Sequence, residues 1–361
     1  MIRVRTAGIL QPGQRIRVLV VDDSVVIRRL VCHALEEDPQ IEVVGVAANG
    51  RIALSRIPQL NPDILTLDIE MPEMDGLEML RALRRANHSL PVVMFSTMTE
   101  RGASATLEAL SLGADDYVTK ASNAGSLDVS LANLRHELVP KIRQFFDFAR
   151  LAPRAPAIAP RQAPPTVPHS ERRAIGIGVS TGGPAALATV VPQFPADFPL
   201  PIFVVQHMPP LFTRLLAERL DTMTPLAVRE GIDGEIVQAG RIYVAPGDRH
   251  MRVVPSGLGP TIALDQGLPL NSCRPAVDAL FSSMADVYGP AVVAAVLTGM
   301  GHDGMSGAQQ LAARGSYIVA QDEASSVVWG MPGSVVGAGA ANEVVPLDAI
   351  VPAILREVAG V

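Results

Sequence analysis

Short apolar runs rich in Val, Ile, Leu and Ala recur along the chain, each followed by an amphipathic stretch, and none alternates with polar residues. A strand of that kind is covered on both faces, which requires helices on either side of a parallel sheet. The first half reads IRVLVVDD, SVVIRRLVCHALEE, IEVVGVA, GRIALSRI, DILTLDIEMP, GLEMLRALRR, PVVMFST, GASATLEALSLG and DDYVTK, then a helical tail from Leu127 to Phe148. The expected fold is α/β, a doubly wound parallel sheet of the flavodoxin-like kind. The second half opens alike with AIGIGVS, a helix from Pro184, LPIFVVQHM and a helix from Leu211. A Gly-rich stretch from Glu230 to Gln266 reads as inserted antiparallel hairpins, before helix and strand resume at RPAVDALFSSMADVYG and AVVAAVLTGMGHDG.

Between the halves, Leu151 to Ser170 carries prolines at 153, 156, 160, 164, 165 and 168. Proline removes amide donors and favours extended, solvated chain, so this is a linker; the alternative is a Pro-rich docking segment. The expected division is an N-terminal extension over 1–15, frayed, a first domain over 16–148, a Pro/Ala-rich linker over 149–171 and a second domain over 172–361.

Hydrophobic residues make up 48% of the 361, ample for two cores. The net charge of −6 argues against nucleic acid as a partner. The longest apolar runs, such as Ala291 to Leu297, fall far short of the roughly 18 residues that span a bilayer. Arg3, Arg5, Arg15 and Arg17 interrupt any signal-peptide pattern. A cytoplasmic protein without direct membrane insertion is expected. Cys32 and Cys273 match no metal or disulfide spacing and read as small hydrophobes.

Asp22 and Asp23 end one apolar run and Asp68 another, and in a doubly wound sheet these carboxyl ends share an edge. Three carboxylates together call for a cation, and an all-oxygen set suits Mg²⁺. Lys120, Ser96 and Thr97 end neighbouring runs and would add an ammonium and two hydroxyls, a setting for phosphoryl transfer onto Asp68. Any one of these residues alone could be a helix cap, as Asp23 or Ser24 could be. The motifs VVDDS, LTLDIEMPEMDG and DDYVTK resemble the receiver domains of two-component response regulators over roughly 17 to 125. The resemblance implies Asp68 as phospho-acceptor, Asp23 as direct Mg²⁺ ligand, Asp22 acting through a metal-bound water, Lys120 on the phosphoryl group and Ser96 as switch hydroxyl. Ala121 stands where receivers usually carry Pro.

In AIGIGVSTGGPAAL, Ser180 sits between an apolar strand and a helix begun by Pro184, with Gly178, Gly182 and Gly183 able to turn tightly and approach a ligand. The spacing fits the nucleophile elbow G-x-S-x-G. A dinucleotide loop is the rival, but Thr181 stands where its third glycine belongs and the next strand ends in Gln206 and His207 rather than an acid. A serine needs a base, and His207 ends the adjacent strand; His250 and His302 are the other candidates. Asp303, beyond AVVAAVLTG, lands on the same edge and would orient an imidazole, unless it only caps the following helix. Backbone amides near Thr181 and Met300 are candidate oxyanion donors.

The stretches GVSTGGP, VVQHMPPLFT, YVAPGDRHM, RPAVDALF, LTGMGHDG and QDEASSVVWGMPGSVV closely resemble the catalytic domain of the chemotaxis protein-glutamate methylesterases, the CheB family. The resemblance implies Ser180 as nucleophile, His207 as general base and acid, and Asp303 as its orienting carboxylate, with no cofactor at the esterase site. It also implies the substrate, glutamate γ-methyl esters on methyl-accepting chemotaxis receptors, with deamidation of selected glutamines. The phosphodonor would be a chemotaxis histidine kinase and the protein a monomer. The receiver, unphosphorylated, is expected to cover the catalytic edge. Competing readings are a non-enzymatic regulator that binds a protein partner, a DNA-binding output, and a carboxylesterase serving another chemosensory pathway.

Overall fold

The computed structural model describes residues 8–10, 13–120, 127–148 and 171–360, so Ala121 and the proline segment lie outside the described residues. The chain forms two compact units, one before and one after that segment.

Along the first unit come β1 (Gly8–Leu10), β2 (Ile16–Val21), α1 (Val25–Glu36), β3 (Ile41–Ala47), α2 (Gly50–Leu60), β4 (Ile64–Asp68), α3 (Gly76–Arg85), β5 (Val92–Ser96), α4 (Glu100–Ser111), β6 (Asp116–Thr119), α5 (Leu127–Arg143) and β7 (Phe146–Phe148). Five strands form a parallel sheet in the order β3-β2-β4-β5-β6. Strands β4 and β5 are buried throughout, as their unbroken apolar runs require. Helix starts are set locally: Ser24 accepts from the Ile27 amide, and Asp75 and Glu78 form a capping box on α3. Two expectations need correction. Residues 8–10 are not frayed but pair in parallel with 146–148, and the helical tail stops at Arg143 so that Phe146–Phe148 can make that pair.

The second unit contains β8 (Ala174–Val179), α6 (Gly183–Val190), β9 (Ile202–Gln206), α7 (Pro210–Asp221), β10 (Ala227–Glu230), β11 (Arg241–Val244), β12 (His250–Val254), β13 (Thr261–Asp265), α8 (Val277–Tyr288), β14 (Val292–Val296), α9 (Met305–Ala313), β15 (Tyr317–Gln321), α10 (Gly330–Gly337), β16 (Glu343–Val345) and α11 (Ile350–Ala359). Seven strands form a parallel sheet in the order β10-β11-β9-β8-β14-β15-β16. Within the Gly-rich stretch β12 and β13 form the expected antiparallel hairpin, but β11 is not part of one: with β10 it joins the main sheet in parallel, because its IYV run is buried and packs as an inner strand. Phe203, Tyr243, Phe281 and Met284 are almost wholly buried in the core beneath, each contributing roughly 1.5–3 kcal/mol by leaving water. Among the described residues, no helix is long and apolar enough to cross a membrane.

This topology positions the site. Val179 pairs with Gln206 and Gly178 with Val296, so the loops after β8, β9 and β14 leave the sheet side by side at its carboxyl edge.

Candidate functional site

His207 follows β9 and Asp303 lies in the loop after β14, and the fold brings them into contact: His207 Nε2 is 2.8 Å from Asp303 Oδ2. Asp303 is buried and takes four donors. Oδ2 also accepts from the Val277 amide at 2.6 Å, while Oδ1 accepts from the Asp278 amide at 3.1 Å and from Asn271 Nδ2 at 2.9 Å. Asp303 thus caps a helix, as its alternative reading allowed, but the helix is α8 rather than the one that follows it. Helix α8 has no side-chain cap of its own at Ala276 and uses the catalytic-edge carboxylate instead. Burial works against the Asp303 charge, but the hydrogen bond and charge of His207 and these donors hold its carboxyl below the usual range. Burial likewise disfavours the imidazolium, yet the hydrogen bonds with Asp303 and Cys273 outweigh it and lift His207 to about 9.

Ser180 stands directly after β8, half-buried, as His207 stands directly after the adjacent β9. Its amide donates to the Thr298 carbonyl at 3.0 Å, and its carbonyl accepts from Gly183 and from Gln206 Nε2. The turn needs Gly182 at φ 77°, in the left-handed region, and Pro184 lies in the first turn of α6. Among the described residues the Ser180 hydroxyl makes no hydrogen bond to His207. Gly178, expected to serve a ligand, serves packing: a Cβ there would sit 2.5 Å from a Val277 methyl, where α8 crosses the strand. A Cβ on Gly299 would meet Ser180 Cβ at 2.8 Å, so the loop carrying Met300 presses directly on the serine. Thr181 is buried and its carbonyl accepts from Thr298 Oγ1, while Met300, two residues after Thr298, is exposed. His250 is held away by β12 and bonds the Leu268 carbonyl, and His302 is exposed.

Three residues of this site carried no signal in the sequence. Cys273, read as a small hydrophobe, places Sγ 3.5 Å from His207 Nδ1. Asn271 spans Asp303 and Asp278 with one amide nitrogen. Thr298 ties the serine turn to the 325–330 segment by accepting from the Val328 amide and donating to the Thr181 carbonyl. Each lies in a loop whose partners are remote in sequence, where no periodicity exists to read.

At the edge of the first unit Asp22 and Asp68 are buried and Asp23 is exposed, with one oxygen of each within 4.8 Å of the others. Lys120 Nζ lies 2.7 Å from Asp68 Oδ2 and 3.0 Å from Asp22 Oδ2. Burial is the largest influence on Asp68 and the Asp22 charge adds to it, so that its carboxyl is pushed up to about 6 although Lys120 opposes the shift. Three carboxylates against one ammonium leave excess negative charge on hard oxygen donors, which fits a divalent cation of the Mg²⁺ kind. A cavity of about 240 Å³ lined by Asp23, Asp68, Thr97 and Lys120 opens beside them. The Ser96 hydroxyl is buried against α4, accepting from Thr106 Oγ1 at 2.6 Å and donating to the Gly102 carbonyl at 3.1 Å. Helix α4 thus satisfies this hydroxyl locally.

The CheB methylesterase family model matches residues 175–354, and the response regulator receiver domain model matches residues 18–132. A protein-glutamate methylesterase/protein-glutamine glutaminase of Nocardioides sp. is 50% identical over 355 residues, covering 96% of each chain. One of the same name from Trichodesmium erythraeum is 46% identical and covers 95% of this chain and 99% of its own. The chain belongs to the CheB methylesterase family. The Thermotoga maritima CheB methylesterase catalytic domain, a solved structure, is 41% identical with a TM-score of 0.50, covering 53% of this chain and 100% of that domain.

In this CheB-family chain a response-regulator receiver precedes the methylesterase domain, as VVDDS and GVSTGGP had implied. The acidic edge thus belongs to the receiver and the His207–Asp303 pair to the methylesterase domain.

Proposed function

We propose that this chain is a phosphorylation-regulated serine hydrolase that cleaves glutamate γ-methyl esters, releasing methanol, and deamidates selected glutamines on methyl-accepting chemotaxis receptors, so supplying sensory adaptation. The observation that carries the reading is the His207–Asp303 pair, 2.8 Å apart, with a buried carboxylate and with the imidazole just after the strand that adjoins the one leading to Ser180. Ser180 Oγ attacks the ester carbonyl carbon as His207 takes the hydroxyl proton. The carbonyl oxygen gains the negative charge, towards which the amides of Thr181 and Met300 are the candidate donors. Collapse of the tetrahedral adduct returns the proton from His207 to methanol and leaves a γ-glutamyl ester on Ser180. Water, deprotonated by the same imidazole, cleaves that ester; a glutamine substrate follows the same course and releases ammonia. Because Asp303 occupies Nε2, the nitrogen that takes the proton is Nδ1. A serine hydroxyl swings between staggered rotamers at small cost, and such contacts tighten when substrate binds.

In the receiver, Asp68 is the phospho-acceptor and Asp22, Asp23 and Asp68 would hold Mg²⁺, which offsets the charge of the incoming phosphoryl group. Lys120 neutralises the same oxygens from the other side. A chemotaxis histidine kinase is the phosphodonor and the cytoplasm the setting. Incubating methyl-labelled receptor membranes with wild type and with Ser180→Ala tests the assignment: methanol release from wild type alone is expected, and equal release from both removes Ser180 as nucleophile.

A further inference from the structure

The reaction above leaves one group at the site unused. Cys273 Sγ lies 3.5 Å from Nδ1 of His207, and Nε2 of the same ring is bonded to Asp303. Sulfur, imidazole and buried carboxylate follow one another in the order of a cysteine-based nucleophilic relay. We infer that Cys273 is an activated thiol, a second group served by His207 and Asp303, and that covalent capture of its sulfur by a soft electrophile or a hydroperoxide stops the hydrolase.

The surroundings favour a reactive sulfur. Reciprocal backbone hydrogen bonds between Leu270 and Cys273, at 3.0 and 2.8 Å, close a tight turn with Asn271 and Ser272 at φ 50° and 64°. Asn271 fastens that turn to Asp303 and to Asp278 of α8. The thiol is therefore held against the ring by the same carboxylate that orients the ring. It is only half-buried, and its neighbours Asn271 and Ser272 are exposed, so a small reagent reaches it. Arg274, next in the chain, turns its guanidinium to Asp248 and to the carbonyls of Gln266 and Gly267. The basic group that faces the sulfur is thus the His207 ring, whose Nδ1 lies against it. Cys32, in α1, supplies a contrast within the chain: burial and the Glu36 charge push its thiol up.

The chemistry balances without other reagents. With iodoacetamide the thiol proton stays on His207, a sulfur–carbon bond forms and iodide leaves. With a hydroperoxide the thiolate attacks the distal oxygen, the O–O bond breaks, sulfur is oxidised to sulfenic acid and the peroxide is reduced to hydroxide or alkoxide. Either product occupies the Nδ1 side of the ring, the side from which Ser180 would lose its proton; this arm rests on the hydrolase reading above.

The test treats the full chain with iodoacetamide at pH 7.5 and follows Cys273 and Cys32 peptides by mass spectrometry in one tube. Cys273 should react about ten-fold faster than Cys32 or more, and His207→Gln should bring it down towards the Cys32 rate. Methanol release by wild type should fall in proportion to the fraction of Cys273 labelled. Ser180→Ala should abolish hydrolysis yet leave the Cys273 labelling rate unchanged, which separates the serine assignment from the thiol. A Cys273 no faster than Cys32, a rate indifferent to His207→Gln, or a fully labelled enzyme with unreduced methanol release would overturn the inference.

Discussion

Two buried carboxylates lie at the carboxyl edges of the two parallel sheets, Asp68 at the end of β4 in the receiver and Asp303 in the loop after β14 in the methylesterase domain, and their electrostatics are opposite. Asp303 is saturated, with two amides, an asparagine and an imidazole on its two oxygens, and its carboxyl is held low. Asp68 is under-compensated: a single ammonium serves both it and Asp22, and its carboxyl rises to about 6. A saturated carboxylate is a fixed part that orients its neighbour and binds nothing new. One short of positive charge is poised to take up a cation or lose its own charge by becoming an acyl phosphate. The location in the fold is the same; the count of donors around each oxygen separates a scaffold from a switch.

The largest effect that tests this contrast is on catalysis. Asp303→Asn should lower ester hydrolysis by about 10⁴-fold, since the amide cannot hold the imidazole in the required tautomer; methanol release from labelled receptors measures it. Asp68→Asn, by contrast, should leave unstimulated hydrolysis in place and abolish stimulation by a small-molecule phosphodonor. If Asp68→Asn cost as much basal activity as Asp303→Asn, the division into scaffold and switch would fail.

Packing supplies the next largest. Gly299→Ala would drive a methyl into Ser180 Cβ at 2.8 Å and into Met331 Sδ, and overpacking of this kind costs typically about 1–3 kcal/mol. Thermal unfolding of the methylesterase transition should show that loss together with reduced hydrolysis.

Titration sharpens the comparison further. A general base acts when neutral, so with His207 near 9 the rate should rise with pH until about that value. Cys273→Ala removes one of the groups that raise it and should move this acid limb to lower pH, read from kcat/KM against pH. Asp68 binds its proton more tightly folded than unfolded. The contribution of Asp68 to receiver stability is therefore fully present below the ordinary carboxylate value of 3.8 and is lost as pH rises to about 6. Mg²⁺ should restore part of it, about 1.4 kcal/mol at ten times its dissociation constant, seen as a higher receiver Tm. A Tm indifferent to both pH and Mg²⁺ would mean the three carboxylates are compensated after all.

Smallest is the effect of Ser96→Ala. Its hydroxyl is shared with Thr106 and the Gly102 carbonyl, so the substitution should lower receiver stability by about 1 kcal/mol.

Much of this was legible in advance, for definite reasons. Largely apolar runs such as ILTLD and VVAAV are buried inner strands, and the residue that ends or follows each such run must emerge at the carboxyl edge, which located Asp22, Asp68, Ser180 and His207. Motif spacing, taken with those runs, then carried the family. The reading failed where local pattern competes with long-range pairing. Glycine and turn residues around RIYV suggested a hairpin, but the strand pairs with β9, far back along the chain. Phe146 to Phe148 continued a helical pattern, yet they pair with residues 8–10.

The sequence by itself determined the two parallel sheets, the acidic receiver edge and the serine turn, because those follow from periodicity and from chemistry confined to a few neighbouring residues. Only the tertiary structure decided that Asp303 caps α8 while it holds His207, that Asn271 locks that carboxylate, and that a cysteine stands against the imidazole. These depend on loops from separate strands meeting at distances of a hydrogen bond, and composition along a chain holds no record of which loops meet.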